Sequence, residues 1–316
     1  LETLSGALRG DQRTGLRSLG GLLFGIAAVV IIVRKTATLD PWGEFAIFFT
    51  LLVPTVLLYG AGMVGGRARD GAPTNWQIVF AGAGILLVGA TLFAFLDWVG
   101  GNPDSSWNTL WIFCLVALAA FAAALKAGVR IGYLLGGIAL VIAWLSLWDE
   151  ILSGEGLAAH VTTTRWLLLI AAAMLVAGAA VLADRARPDG GSGDLVTVAG
   201  LSAIFAGALS LNGLSTPVVQ VSELGAPIAA AGGGSSTFWE LELLVVALGL
   251  IVFGATASVR GPVYVGAIGL AAFIPLAGID FENLDGSLSG WPIVLLIIAV
   301  ALLIAGFVPA RRRSDA

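Results

Sequence analysis

Little in this sequence can carry out chemistry. It holds one cysteine, Cys114, and one histidine, His160. No intrachain disulfide is therefore available, no zinc site of Cys and His ligands, and no paired histidine ligation of a membrane haem. Lysine occurs only as Lys35 and Lys126, neither within an apolar stretch, which argues against a retinal Schiff base. His160 is the only candidate base for a Ser–His hydrolase pair, and it falls in a connecting segment. No glycine loop leads to a lysine in the manner of a P-loop. No metal site, no cofactor and no catalytic role is expected. Charge is scarce as well: 11% of residues, where soluble domains carry roughly a quarter. Long hydrophilic segments are missing, so neither a soluble domain nor a nucleic-acid partner is expected.

What is present is apolar. Of 316 residues, 58% are hydrophobic, and the mean hydropathy is +0.98. A water-soluble fold could not cover that much apolar surface, whereas a bilayer is itself an apolar solvent. A crossing takes roughly 20 mostly apolar residues at about 1.5 Å each. Ten stretches qualify: 18–33, 43–65, 76–98, 107–125, 130–148, 164–183, 195–213, 238–258, 262–279 and 291–309. The first apolar run is followed by nine more, so it reads as a span and not as a signal peptide. The chain begins at Leu1, as a processed product or a piece of a longer one would. The expected fold is an all-α polytopic bundle of about ten helices, one integral membrane domain over 1–316. Its longest connection, 214–237, contains the flexible run Gly232-Gly233-Gly234-Ser235-Ser236.

Orientation follows from the basic residues in alternate loops. Arg9, Arg13, Arg17, Arg67, Arg69, Lys126, Arg130, Arg185, Arg187, Arg260, Arg311, Arg312 and Arg313 fall on one side, and Arg34, Lys35 and Arg165 on the other. The basic side is expected in the cytoplasm, with both termini there and the chain in the plasma membrane. Thirteen acids fall on the opposite side, with nine of the ten tryptophans; only Trp76 is on the basic side. Indole settles at headgroup level, apolar body inward and N–H toward water. This girdle reads as lipid anchoring or as a surface for a partner. High Gly and Ala with little Lys points to a GC-rich prokaryotic genome.

The loops repeat. Arg67-Ala68-Arg69-Asp70-Gly71 precedes the third span, and Arg185-Ala186-Arg187-Pro188-Asp189-Gly190 precedes the seventh, 118 residues on. Gly128-Val129-Arg130 before span five matches Ser258-Val259-Arg260 before span nine. Even spans tend to begin with Trp: Trp42, Trp107, Trp166, Trp239 and Trp291. The unit is a helical hairpin, doubled into four spans; the alternative is that positive-inside and aromatic-belt physics make all hairpins look alike. Even-numbered units give parallel repeats, whereas inverted repeats need an odd number. In length and span count the chain resembles the drug/metabolite transporter superfamily. That superfamily relates span one to span six in opposite topology, unlike the correspondence of span three with span seven here, so no functional residue carries over.

Helices in lipid associate where small residues allow close approach. Four-residue stripes of this kind are Gly21 and Gly25, Gly62 and Gly66, Ala120 and Ala124, Gly132 and Gly136, Ala173 and Ala177, Ala199 with Ala203 and Gly207, and Ala301 and Ala305. Pro54, between Thr50 and Thr55, and Pro275 are expected to kink their helices. Such kinks serve either a substrate path or plain packing.

The middles of the spans carry no charge, the usual mark of ion coupling. Charges instead cluster at the outer ends, where Glu44, Asp97, Asp149, Glu150, Glu240 and Asp280 form either a solvated rim or an acidic vestibule for a cation or amine. Glu240 is the best single candidate within Trp239-Glu240-Leu241-Glu242, and Glu242, two residues on, points to a different helix face. Trp148-Asp149-Glu150 resembles the outer-loop acidic pair of polyprenyl-linked glycosyltransferases, although the outer loops here are short. Arg9, Arg13 and Arg17 are four apart and would share a face toward lipid headgroups, in a helix weakened by Gly10 and Gly15. Three functions remain open: a non-catalytic membrane component (scaffold, assembly factor or complex subunit), a transporter of a small neutral or apolar molecule, and a lipid-linked enzyme. Membrane lipids and other membrane subunits are the expected partners.

Overall fold

The computed structural model describes residues 2–36, 42–64, 73–152, 157, 160–184, 191–209 and 237–279, and their side chains except those of 2–14, 36, 184, 237 and 274–279. Every described element is helical: α1 (Glu2–Thr36), α2 (Glu44–Val64), α3 (Asn75–Trp98), α4 (Ser106–Ala127), α5 (Ile131–Ile151), α6 (Val161–Asp184), α7 (Gly191–Ala208), α8 (Thr237–Thr256) and α9 (Arg260–Ile279). Eight of them, α1 to α8, are long and apolar enough to cross a bilayer. The expected span 291–309, nearly all of the 214–237 connection, Asp280, Gly66 and the Ala301/Ala305 stripe lie outside the described residues.

Two helix starts differ most from expectation, each for a physical reason. The first helix is not confined to 18–33 but runs back to Glu2, through Gly10 and Gly15. An interior glycine costs about 1 kcal/mol in a helix, which does not stop propagation from a long apolar stretch already wound. The seventh helix starts at Gly191, before the expected 195, although Gly191 and Gly193 read as breakers. Their missing side chains make room for neighbours: a Cβ on Gly193 would stand 2.7 Å from Cγ1 of Val259, and one on Gly191 would strike the Tyr133 ring.

Successive helices pair as hairpins, α2 with α3, α4 with α5, α6 with α7 and α8 with α9. Two helices lie at the centre: α3 is flanked by α1, α2, α4 and α5, and α7 by α5, α6, α8 and α9. Within its apolar window α7 is 72% buried, against 17% for α1, which places α7 inside and α1 on the flank. The flank carries Val56, Leu57, Leu86, Leu118, Val176, Val245 and Ile268, all exposed. In water such a surface would cost roughly 25 cal/mol per Å²; in lipid it is matched to its solvent.

Small residues bring the backbones together. A Cβ on Gly62 would fall 2.7 Å from the Ala81 nitrogen, and one on Gly84 2.7 Å from Cα of Tyr59, so α2 and α3 touch main chain to main chain. A Cβ on Gly132 would likewise press on Ala120 and Ala124 of α4. Ala173 and Ala177 are a correction, because both face outward; α6 packs through Ala172, Leu175 and Ala179 instead. A four-residue spacing fixes a helix face but not which way that face turns.

Pro54 is buried within an unbroken α2. Its ring removes the bond to the Thr50 carbonyl. Leu51 and Leu58, one turn to either side, pack with Leu87 and Ala94. Next to it the Thr55 and Thr91 hydroxyls meet at 2.7 Å, while each also lies 2.7 Å from a carbonyl of its own helix, Leu51 and Leu87 respectively. Pro275 lies in the helical backbone of α9.

Candidate functional site

The even-numbered helices start, and the odd-numbered helices from α3 finish, at one end of the bundle. There the rings of Phe45 and Trp98 stand 5.5 Å apart and those of Trp166 and Trp239 also 5.5 Å. This is the acidic end; the opposite end carries the Arg130–Asp194 ion pair.

The proposed rim residues divide. Glu44, Asp97 and Glu150 are exposed at helix ends. Asp149 is half-buried and already engaged: it accepts a hydrogen bond from the Ser106 hydroxyl and one of 2.9 Å from the Leu157 N–H, fastening α5 to the start of α4 and to the α5–α6 connection. His160 lies just ahead of α6, where its carbonyl accepts the N–H and the hydroxyl of Thr164. Glu240 alone among the described candidates is deeply buried, at 2% exposure. The structure thus disperses the rim and draws one of its members inside.

Around Glu240 the structure assembles residues that hydropathy alone could not select. Trp239 is buried beside it. The Arg165 guanidinium lies over the Trp239 indole, 5.1 Å from the ring centre, an attraction worth roughly 0.5–2 kcal/mol depending on desolvation. Trp166 and Phe238 close the aromatic group, with ring centres 5.8 Å apart. Glu242 follows Trp239 by three residues and so shares its face. Both Glu242 carboxyl oxygens are sealed from solvent without a hydrogen-bond partner. Gly207 of α7 is what admits that carboxyl, since a Cβ there would stand 2.8 Å from Oε2. On α5, Trp144 donates its N–H to the Leu167 carbonyl at 3.0 Å, while the Trp148 N–H is buried without an acceptor.

The tryptophan girdle therefore has two populations. Trp98, Trp107 and Trp166 are open to the surroundings, as anchors would be, whereas Trp239 is in the bundle and Trp144 is bonded within it. The sequence signal for the second population was the coincidence of Trp and Glu at a three-residue spacing, 239 and 242, opposite an arginine on the acidic side. No protein family, curated protein or solved structure matches this chain.

Proposed function

We propose that the chain is a non-catalytic, ten-span component of a larger membrane assembly, a scaffold, assembly factor or subunit. It lies in the plasma membrane with both termini in the cytoplasm. The observation that carries this reading is the small-residue interior: α3 and α7 are each walled by four helices, with backbone contact at Gly62 and Gly84. A core packed in this way is suited to holding a shape, and its apolar flank is suited to lipid and to neighbouring subunits.

The same reading takes α2–α5 and α6–α9 as parallel four-helix units. In each the second helix is central and the last two form a hairpin. The hairpin turns correspond too: Gly128 has φ 72° and Ser258 φ 57°, each followed by Val and Arg. Left-handed backbone at Ser258 is uncommon for a residue with a side chain, so its recurrence 130 residues after Gly128 supports duplication. Asp149, with both bonds in use, favours fastening over glycosyl-transfer chemistry.

Transport of a small neutral or apolar molecule is the second reading. Pro54 favours it, since it leaves the Thr50 carbonyl without its N–H partner in the helix that also carries the Thr55–Thr91 hydroxyl contact. Gentle purification from native membranes, with identification of the material that comes along, separates the two. A membrane protein recovered in fixed stoichiometry through successive columns is expected. A monodisperse chain without a partner, active in flux assays on vesicles, would overturn the first reading in favour of the second.

A further inference from the structure

We propose that the acidic end of α5, α6 and α8 binds a zwitterion, an ammonium beside an anionic phosphate or carboxylate. Elsewhere in the bundle, buried hydroxyls are accommodated: those of Thr55, Thr91, Ser146 and Thr197 each return a bond to a carbonyl one turn back. At this end three different side chains hold sealed polar atoms with no partner. They are the Trp148 Nε1, the Arg165 Nε and both carboxyl oxygens of Glu242. A buried polar atom left unsatisfied costs roughly 1–3 kcal/mol, and a charged one within a bilayer costs more. A chain of contacts links them: the Trp148 ring meets that of Trp144, whose N–H reaches the Leu167 carbonyl two residues from Arg165, and Arg165 lies over Trp239, one turn from Glu242.

The chemistry of the three groups selects the ligand. Trp148 and Arg165 offer N–H donors and call for an anionic acceptor. Glu242 offers only acceptors and calls for an ammonium, while the Trp239 face one turn away already carries the Arg165 guanidinium. An anion alone leaves Glu242 unsatisfied; a cation alone leaves Arg165 and Trp148 unsatisfied. Trp166 and Phe238, each 49% exposed, flank the site at the level where indole meets headgroups. An ammonium-bearing phospholipid headgroup and a free solute such as phosphoethanolamine share this chemistry. The inference goes beyond the assembly role and does not depend on it.

The test uses the full chain in neutral detergent, followed by tryptophan fluorescence and thermal unfolding. Four probes are titrated: O-phosphoethanolamine, short-chain phosphatidylethanolamine, short-chain phosphatidylglycerol for the anion alone, and ethylammonium for the cation alone. At least one zwitterion is expected to bind roughly tenfold more tightly than either single-charge probe. Glu242→Gln is expected to reduce that affinity to the level of the anionic probe. Gly207→Ala, which crowds the same carboxyl, is expected to weaken zwitterion binding and provides the reading should Glu242→Gln not fold. Equal binding of both zwitterions assigns the site to a solute, and binding of the lipid alone assigns it to the leaflet. Absence of binding by either zwitterion, equal binding by a single-charge probe, or unchanged zwitterion affinity in a folded variant would overturn the proposal.

Discussion

Arg130, just ahead of α5, holds Asp194 in the first turn of α7, Nε to Oδ2 at 3.6 Å, so one ion pair ties two hairpins together at the basic end. The arginine side chain is 55% exposed and the aspartate 20%. Exposure of that degree limits the pair to about 0.2–1 kcal/mol. Asp194→Asn should lower stability in reversible unfolding from mixed micelles by no more than that, and about 1 M salt should shrink the difference.

Contact between the α2 and α3 backbones gives a sharper expectation. Gly84→Ala places a methyl against the Tyr59 main chain, which cannot yield as a flexible side-chain tip would. The loss should be about 1–3 kcal/mol. Gly249, on the open face of α8, has nothing within 4 Å of a built Cβ. Gly249→Ala should instead raise stability, by up to about 1 kcal/mol, measured under the same conditions.

The Thr55–Thr91 contact crosses the same interface, yet each hydroxyl also has a carbonyl in its own helix within 2.7 Å. Two protons serve three short contacts, so loss of one hydroxyl leaves the other an alternative. A double-mutant cycle with Thr55→Val and Thr91→Val should give a coupling of about 0.6 kcal/mol and not above roughly 1.7, the range of interhelical hydrogen bonds in membranes. A larger coupling would mean that the polar pair beside Pro54 does more than join helices.

Asp149 is predicted to act as a fastener. Asp149→Ala removes the acceptor of the Leu157 N–H and the partner of the Ser106 hydroxyl. Amide exchange at Leu157 should accelerate, with a stability loss of about 1–3 kcal/mol. Glu150→Gln, on an exposed side chain, should change neither quantity measurably.

Helix positions were legible because lipid imposes a simple rule: a crossing must be long, apolar and internally hydrogen-bonded. Spans expected at 76–98 and 107–125 emerge as Asn75–Trp98 and Ser106–Ala127. The recurrence of Val-Arg after a turn was also visible, and the turns carry similar backbone at Gly128 and Ser258. Facing was less legible. Ala173 and Ala177 have the same spacing as Ala120 and Ala124, yet only the latter pair is buried. Composition does not record which neighbours surround a helix, and in lipid both faces of a helix are apolar. The site suffered from the same limit. Six acids at helix ends look alike in sequence; burial separates Glu240 from Glu44 and Asp97, and it brings in Glu242 and Arg165 through the packing of α6, α7 and α8.

The central claim is that these helices thread a bilayer with the basic loops behind and the acidic, tryptophan-rich end outside. Cysteine labelling tests it most directly, in a background where the exposed native Cys114 is replaced by alanine. Asp104→Cys marks the acidic end in the α3–α4 turn, and Ser258→Cys marks the basic end in the α8–α9 turn. In sealed cells a membrane-impermeant maleimide should label Asp104→Cys at once and Ser258→Cys only after permeabilisation. Labelling of Ser258→Cys in intact cells, or of both sites alike, would contradict the account.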